Sequence, residues 1–370
     1  MDQNGFSIST HFATVKDPRR YHIRHNLIDI LTIAICAITC GAQNWVDVEQ
    51  YGNSKYDWLK QFLQLPNGIP SHDTFGRLFS LIDPKQFSNA FTNWWQSIRT
   101  LLDQNHIAID GKTVRSSYDK MMGKGAIHMV SAWAVENAII LGQIKTEEKS
   151  NEITAIPELI KQLELQNTIV SIDAMGCQTA IAGQIIDKQG DYVFSLKGNQ
   201  SGMHDQIKMF FQDYLNSPND FCHLETIDAD HGRIETRRYW TNSDIEWLQG
   251  KEKWAGIKSI TMVQRERDIN NKISTETSYY ISSVEKDVKR IANAIRNHWH
   301  IENSLHWVLD VTFNEDKCRV RKDNAPENVA ILRHIVVNLL KQEKTFKGSI
   351  QTKRLKAAWE NNYMLKILNS

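Results

Sequence analysis

Apolar positions change their period twice along this chain. Up to about residue 100 they recur at helical spacing. The segment from Leu27 to Ala42 has apolar residues on almost every side, which predicts a helix enclosed by others. Trp45-Val-Asp-Val-Glu-Gln-Tyr51 and Trp58-Leu-Lys-Gln-Phe-Leu63 continue in the same period. Leu65-Pro-Asn-Gly-Ile-Pro70 is a turn, after which Ser71 can cap a helix running through Phe79. That helix carries His72, Thr74 and Arg77. Helix, turn and helix fit either a groove-reading helix-turn-helix or the edge of an ordinary bundle, and the spacing leaves both open.

From residue 106 the pattern shortens to strands and helices. Strands are predicted at Ile107–Asp110, Ile127–Val135, Ile139–Lys145, Thr168–Asp173 and Asp191–Leu196, with helices at about 152–165 and 178–188. Pro157 is an irregularity near the start of the first of these helices. Three strands on short turns, then helix, strand, helix, strand, is the order of a ribonuclease-H-like mixed sheet. In that layout the first and fourth strands are neighbours, which would bring Asp110 and Asp173 together. A second change comes at about 200–285. Arg233–Trp240, Ile257–Arg265 and Lys272–Ser282 alternate, with Ile269-Asn-Asn271 as a hairpin signal, so this stretch is a β-rich insertion. The expected fold class is α/β: a ribonuclease-H-like sheet with flanking helices and that insertion over 101–370, preceded by an all-α domain over 1–100.

Composition narrows the class only modestly. A net charge of +1 over 370 residues says nothing about an anionic partner. From Lys341 onward seven basic residues stand against Glu343 and Glu360, a local excess expected to be a solvated helix face. Five cysteines without zinc-type spacing point to a reducing compartment. Met-Asp-Gln-Asn-Gly is unlike a signal peptide, and the run from Leu27 to Cys40 contains Asp29 and is shorter than the roughly 20 residues a membrane span needs. A soluble, cytoplasmic protein with no membrane partner is expected.

Three acidic residues are candidates for chemistry. Asp110 and Asp173 each end an apolar run, and Glu302 lies in Arg296-Asn-His-Trp-His-Ile-Glu302-Asn-Ser-Leu-His306-Trp307, which reads as a helix. Rigid strand-end aspartates and a glutamate reaching in from a helix suit a pair of divalent cations, Mg²⁺ by ligand hardness with Mn²⁺ as the alternative. Each aspartate is equally compatible with a turn or cap residue. Gly111 would let the backbone turn away sharply, leaving Lys112 and Arg115 ready for phosphates. Lys197, Arg233, Arg319 and Arg321 are the other candidate phosphate contacts. Gly111-Lys112-Thr113 is not a nucleotide-binding loop, because the earlier glycine position holds His106. His298, Glu302 and His306 recur every four residues and could form a metal-binding stripe, beside a core stripe of Ile301, Leu305 and Val308. His231-Gly232-Arg233 is either a turn carrying a cation or a DNA contact.

Six separated runs carry a family resemblance. They are Ile109-Asp110-Gly-Lys-Thr-Val-Arg115; Lys149-Ser-Asn-Glu-Ile-Thr-Ala-Ile-Pro157; Ile172-Asp173-Ala-Met-Gly-Cys-Gln178; Gly190-Asp-Tyr192 with Leu196-Lys-Gly-Asn-Gln200; His231-Gly-Arg-Ile-Glu235; and His298-Trp-His-Ile-Glu302-Asn-Ser-Leu-His-Trp307 with Leu309-Asp-Val311. Together they resemble the insertion-sequence DDE transposases, in the branch of H-repeat-associated proteins, over roughly residues 10–340. Asp17-Pro-Arg-Arg20 and the segment from Leu27 to Phe79 resemble that family's N-terminal associated region. The resemblance implies a ribonuclease-H-like catalytic domain and divalent-metal catalysis by Asp110, Asp173 and Glu302. The implied partners are double-stranded DNA at element ends and target, and a second copy of the chain on paired ends. Related branches place Tyr, Arg and Lys around the glutamate where this chain has Ile295, His298 and Leu309, so those three roles do not transfer. The expected activity is cleavage at element ends followed by strand transfer. The alternatives are a DNA-binding protein inactive in transposition and a metal-dependent nuclease without strand transfer.

Overall fold

The computed structural model describes residues 7–21, 23–99, 105–146, 152–215, 222–230 and 232–370. The first part is helical: α1 (Ser7–Phe12), α2 (Leu27–Thr39), α3 (Trp45–Ser54), α4 (Tyr56–Leu59), α5 (His72–Leu81) and α6 (Pro84–Arg99). Helix α2 is buried on all sides, as its all-round apolar pattern requires, and the buried Asp29 carboxylate accepts the Leu65 backbone N–H at 2.9 Å. The predicted helix at 58–63 is only the single turn α4, because the chain reverses at Leu65 (φ 42°) ahead of Pro66. Ser71 stands at the N-cap of α5, but its hydroxyl meets the Thr74 hydroxyl at 3.2 Å rather than a backbone N–H. His72 is held by Glu49 of α3 at 2.6 Å, while Arg77 faces solvent.

The strands are β1 (His106–Thr113), β2 (His128–Ala134), β3 (Ile139–Lys145), β4 (Ile169–Ile172), β5 (Asp191–Leu196), β6 (Cys222–Asp230), β7 (Arg233–Asn242), β8 (Ser259–Ile269) and β9 (Lys272–Ser282). Between them run α7 (Glu152–Lys161), α8 (Thr179–Asp187) and α9 (Ser201–Leu215), followed after the sheet by α10 (Val288–His298). They form one mixed sheet in the order β3-β2-β1-β4-β5-β9-β8-β7-β6, in which β1, β4 and β5 are parallel. The β1–β4 pairing expected from element order is present. The 200–285 stretch differs from its expected form in two respects. It opens with helix α9, and its strands continue the same sheet, because β9 pairs antiparallel with β5 through Val193↔Ser282 to Leu196↔Tyr279. Asn270 and Asn271, both at positive φ, make the tight β8–β9 turn that the sequence signalled. Residues 272–278 of β9 run past the end of β5, so the β6–β9 ribbon projects about 20 Å beyond that sheet edge at ~3.3 Å per residue.

Helix α11 (Trp307–Val311) is followed by α12 (Ala325–Gln342), α13 (Ile350–Trp359) and α14 (Asn361–Leu368). Almost every residue of α12 is buried, and it packs against α2, α5, α6 and β3, so the N-terminal helices and the sheet share one apolar cluster. The Asn338 side chain bonds both the N–H and C=O of Ile140, each at 2.8 Å, pinning α12 to β3. No helix of the described residues is long and apolar enough to cross a membrane.

Two residues of the C-terminal basic cluster, Lys353 and Arg354, are buried rather than part of the solvated face expected of it, while Lys344, Lys347 and Lys366 are exposed. Arg354 is 4% exposed and donates to the carbonyls of Ile38 (2.9 Å), Thr39 (3.3 Å) and Thr312, while Lys353 donates to Leu340 (2.8 Å) and Glu343. These carbonyls lie at the C-terminal ends of α2, α11 and α12, where intrahelical donors run out and basic side chains can serve instead. Arg354→Met keeps the apolar stem and strips the donors. It should lower the free energy of unfolding by about 3 kcal/mol, read as a shift in the urea midpoint; an unchanged midpoint would mean that water serves those carbonyls equally well.

Candidate active site

Strand alternation sorts the sheet into two faces. Ile107, Ile109, Val170, Ile172, Tyr192 and Phe194 enter the large core, leaving His106, Asp110, Ser171 and Asp173 on the face beneath α10. Ile109 pairs with Ile172, so Asp110 and Asp173 follow at the same level on adjacent parallel strands. Asp173 Oδ1 accepts the N–H groups of Met175 (2.9 Å) and Gly176 (3.3 Å), which orients the carboxylate. The Lys197–Gln200 loop is tied to this turn, since Asn199 donates to Ala174 O (2.6 Å) and Gln200 to Cys177 O (3.0 Å).

Helix α10 starts at Asp287, whose side chain accepts the Arg290 N–H at 3.0 Å, and lays Val288, Ile291 and Ile295 against Ile169 and Val193. Beyond it the helix widens into a π turn at Glu302–His306, a distortion that often accompanies functional sites. Ile301 and Leu305 enter the core, and His306 Nδ1 lies 3.3 Å from Glu302 and 3.6 Å from Asp110. His298 does not join them in a stripe. Its Nδ1 lies 2.9 Å from Ser171 Oγ, which in turn lies 2.7 Å from His106 Nε2, forming a buried polar chain below the carboxylates.

Two sets of ligand atoms result, with all atoms of each set within 4.8 Å of one another: Asp110, Glu302 and His306, and Asp110, Glu152 and Asp173. Asp110 belongs to both. Glu152, the first residue of α7, was not singled out from the sequence, although it lies within the run Lys149–Pro157. Its Oε1 lies 2.7 Å from His128 Nε2. Gly111 proves to have a different purpose from the expected sharp turn. The strand continues through it, paired with Val130, and a Cβ there would lie 2.2 Å from both Glu152 Oε1 and His128 Nε2. Glycine is needed because that pair crosses over it.

Burial and the neighbouring Glu302, Glu152 and Asp173 carboxylates push Asp110 up to about 8, against the pull of the Gly111 N–H. Asp173 is also raised, by burial and Glu152, with the Gly176 and Met175 N–H groups and Lys197 opposing. The His306 hydrogen bond holds Glu302 below its ordinary value. Burial pushes His298 down to about 4 and His106 to about 3, so both are neutral at pH 7. Crowded carboxylates with raised proton affinity are stabilised by cations, and hard oxygen donors with one imidazole fit Mg²⁺ or Mn²⁺.

Residues 101–339 match the family described as the transposase DDE domain, and residues 9–95 match the DDE_Tnp_1-associated region. The chain belongs to the DDE transposase family. Within it the chain falls in the H-repeat-associated branch. It is 41% identical over 366 residues to the H repeat-associated putative transposase YhhI of Escherichia coli K12, covering 97% of this chain and 96% of the relative. It is 42% identical over 369 residues to the putative transposase YncI of E. coli O157:H7, covering 98% and 95%. A piggyBac transposase synaptic complex with hairpin DNA aligns with 98% of this chain and 76% of its own at 12% identity and a TM-score of 0.43, too slight a likeness to argue from.

In this DDE transposase the candidate phosphate contacts are spread unevenly. Lys112 is a correction: only one-tenth exposed, its Nζ lies 2.8 Å from Asp310, 3.2 Å from Glu315 and 3.3 Å from Asp316, so it ties β1 to the segment after Glu302 and is not free for phosphate. The Gly111-Lys112 and Leu309-Asp-Val311 runs are thereby in contact. Lys197 is exposed and shares a cavity of about 160 Å³ with Asp110, Asp173, Glu302 and the half-exposed Trp299. Arg115 is 80% exposed, with Asp316 3.3 Å away, and Arg319 is exposed. Arg321 donates to Ser116 O at 3.1 Å and lies over the Tyr118 ring. Arg233 lies on the projecting ribbon, 3.7 Å from the buried Glu235, which Arg237, Arg265 and Arg267 also approach. His231 lies outside the described residues. The positions that carry Tyr and Lys in related branches are core here, with Ile295 and Leu309 buried.

Proposed function

We propose that this DDE transposase cleaves DNA at the ends of its own element and joins the freed 3′ ends to target DNA, with Asp110, Asp173 and Glu302 as the catalytic carboxylates. The observation that carries the reading is the sharing of Asp110 between two sets of ligand atoms. Two divalent cations, Mg²⁺ or Mn²⁺, would there activate the attacking oxygen and steady the leaving one. Asp173 is held by backbone N–H groups and Glu302 by a packed helix, so both are aimed before substrate arrives. Lys197, Arg115, Arg319 and Arg321 would contact phosphates near the carboxylates, and Arg233 would do so farther out on the ribbon. The sheet order β3-β2-β1-β4-β5, with Asp110 within β1 and Asp173 just past the end of the adjacent β4, supports a ribonuclease-H-like reading of the catalytic domain from about 101 onward. The helices of residues 1–100 would contribute end recognition through the exposed face of α5 that carries Arg77. A cytoplasmic protein acting as a homodimer on paired ends suits this chemistry.

The test is incubation of the full-length protein with a labelled duplex containing the DNA that flanks its own coding sequence. With Mg²⁺ we expect end-specific nicks and joined products, both lost with a chelator. Nicks without joining would indicate a nuclease, and binding without nicks an inactive DNA-binding protein. Binding should weaken steeply with salt. Arg319→Gln should reduce the slope of log K against log[salt] by about 1, whereas an unaltered slope would remove Arg319 from the phosphate contacts.

A further inference from the structure

The Glu152 carboxylate has few explanations as a purely structural group. It is 12% exposed, and its carboxylate oxygen is grouped with those of Asp110 and Asp173. Among the described residues its ion-pair partner is His128, and no Lys or Arg pairs with it. Residues of β1 and β2 are arranged around it. Its Oε1 meets His128 Nε2 at 2.7 Å, and His128 Nδ1 meets Thr113 Oγ1 at 2.9 Å. A neutral imidazole that donates from Nε2 must accept at Nδ1, and the Thr113 hydroxyl can supply that proton. Gly111 leaves open the space that the His128–Glu152 pair crosses. This is the pattern by which an outer partner fixes the direction of a ligating group.

A second observation comes from the other side of Asp110. His306 is 7% exposed, its Nδ1 faces Asp110 and Glu302, and among the described residues its buried Nε2 has no hydrogen-bond partner. Each of the two positions flanking Asp110 is therefore provided with a donor beyond the three carboxylates already assigned. Taking those carboxylates as cation ligands, we propose that Glu152 is a further ligand for the cation between Asp110 and Asp173, and that His128 is its positioning residue. Asp110 would then be shared by the two positions, with Asp173 and Glu152 holding one cation and Glu302 and His306 the other. The extra negative charge suits a hard divalent cation better than a softer one.

The experiment titrates the full-length protein with Mn²⁺ alone and counts bound ions by electron paramagnetic resonance. Two ions are expected for the unmodified chain. Glu152→Gln should weaken one of them about ten- to a hundredfold and spare the other, while Glu302→Gln should weaken the ion that Glu152→Gln spares. His128→Gln should weaken the same ion as Glu152→Gln and add nothing in the double variant, which a general loss of stability would not mimic. If Glu152→Gln fails to fold, Glu152→Asp keeps the charge, withdraws it by one methylene, and should still weaken that ion. Mn²⁺ binding unchanged in the Glu152 variants but lost in Asp173→Asn overturns the role of Glu152 and leaves the cation site standing. No binding by the unmodified chain overturns the cation reading itself, and this proposal with it.

Discussion

Without divalent cations, the Asp110 carboxyl should contribute stability that is lost as pH rises from about 4 to about 8. Asp110→Asn should remove that contribution together with DNA cleavage, whatever the opposing slope from the buried neutral His106 and His298. Burial and neighbouring carboxylates raise Asp110 from 3.8 when unfolded to about 8 when folded. Between those values the folded chain holds a proton that the unfolded chain has released. Unfolding then releases a proton, so its free energy falls with rising pH, by at most about 1.4 kcal/mol per pH unit. The stability contributed by the protonated group is complete below the unfolded value and gone above the folded one. Asp173, also raised, acts in the same direction and remains in the variant. Glu302, held low by His306, acts oppositely, losing its contribution only as pH falls below the ordinary glutamate range. The measurement is therefore the difference in chemical-denaturation midpoints between the unmodified chain and Asp110→Asn across pH. Saturating Mg²⁺ should flatten the slope of the unmodified chain by supplying the positive charge. Cleavage by the variant should fall by at least about a thousandfold, the scale of several kcal/mol of lost transition-state stabilisation. A variant that nicks end DNA at the unmodified rate removes Asp110 from the site, and parallel pH curves would show that its carboxyl titrates normally.

Glu302→Gln should retain the fold and the binding of end DNA while losing both nicking and joining, again by about a thousandfold or more. Gln has nearly the same size and is compatible with the helix, but it is neutral and a weak ligand for a hard cation. Glu302 is about half exposed and His306 is its close neighbour, so the change removes little packing. If Glu302 and His306 instead held a structural ion, the substitution would lower the melting temperature and a chelator would mimic it. Melting with and without Mg²⁺, paired with cleavage of a labelled end fragment, separates these outcomes. Unchanged cleavage sinks the catalytic role, and a large chelator-sensitive melting shift favours a structural ion.

Much of the frame was legible in the sequence because it is written in local periods. The alternation at Ile139–Lys145 and Asp191–Leu196 matches β3 and β5 residue for residue, and the paired asparagines at 270–271 marked a hairpin that is present. Strand β6 and helix α9 were missed. Alternate residues of β6 such as Ile227 face outward on an exposed edge strand, so its pattern is weak. The proximity of Asp110 and Asp173 was legible only through an assumed strand order, which the parallel β1–β4 register bears out.

Residue types and their spacing along single elements determined by themselves where most strands and helices lie, that Asp173 ends a strand, and which family the runs resemble. Asp110, expected at a strand end, lies within β1. The remaining questions concerned partners far apart in the chain, and no local period encodes these. Lys112 looked free because Asp310, Glu315 and Asp316 lie about two hundred residues away. Arg354 looked solvated because the carbonyls it serves belong to helix ends at Ile38, Thr39 and Thr312. Gly111 suggested a turn, whereas its missing side chain makes room for a contact between β2 and α7. Glu152 carried no signal as the opening residue of a helix. Only packing α7 across the sheet sets it against Asp110 and Asp173, where burial strengthens carboxylate repulsion and makes a cation the fitting counter-charge.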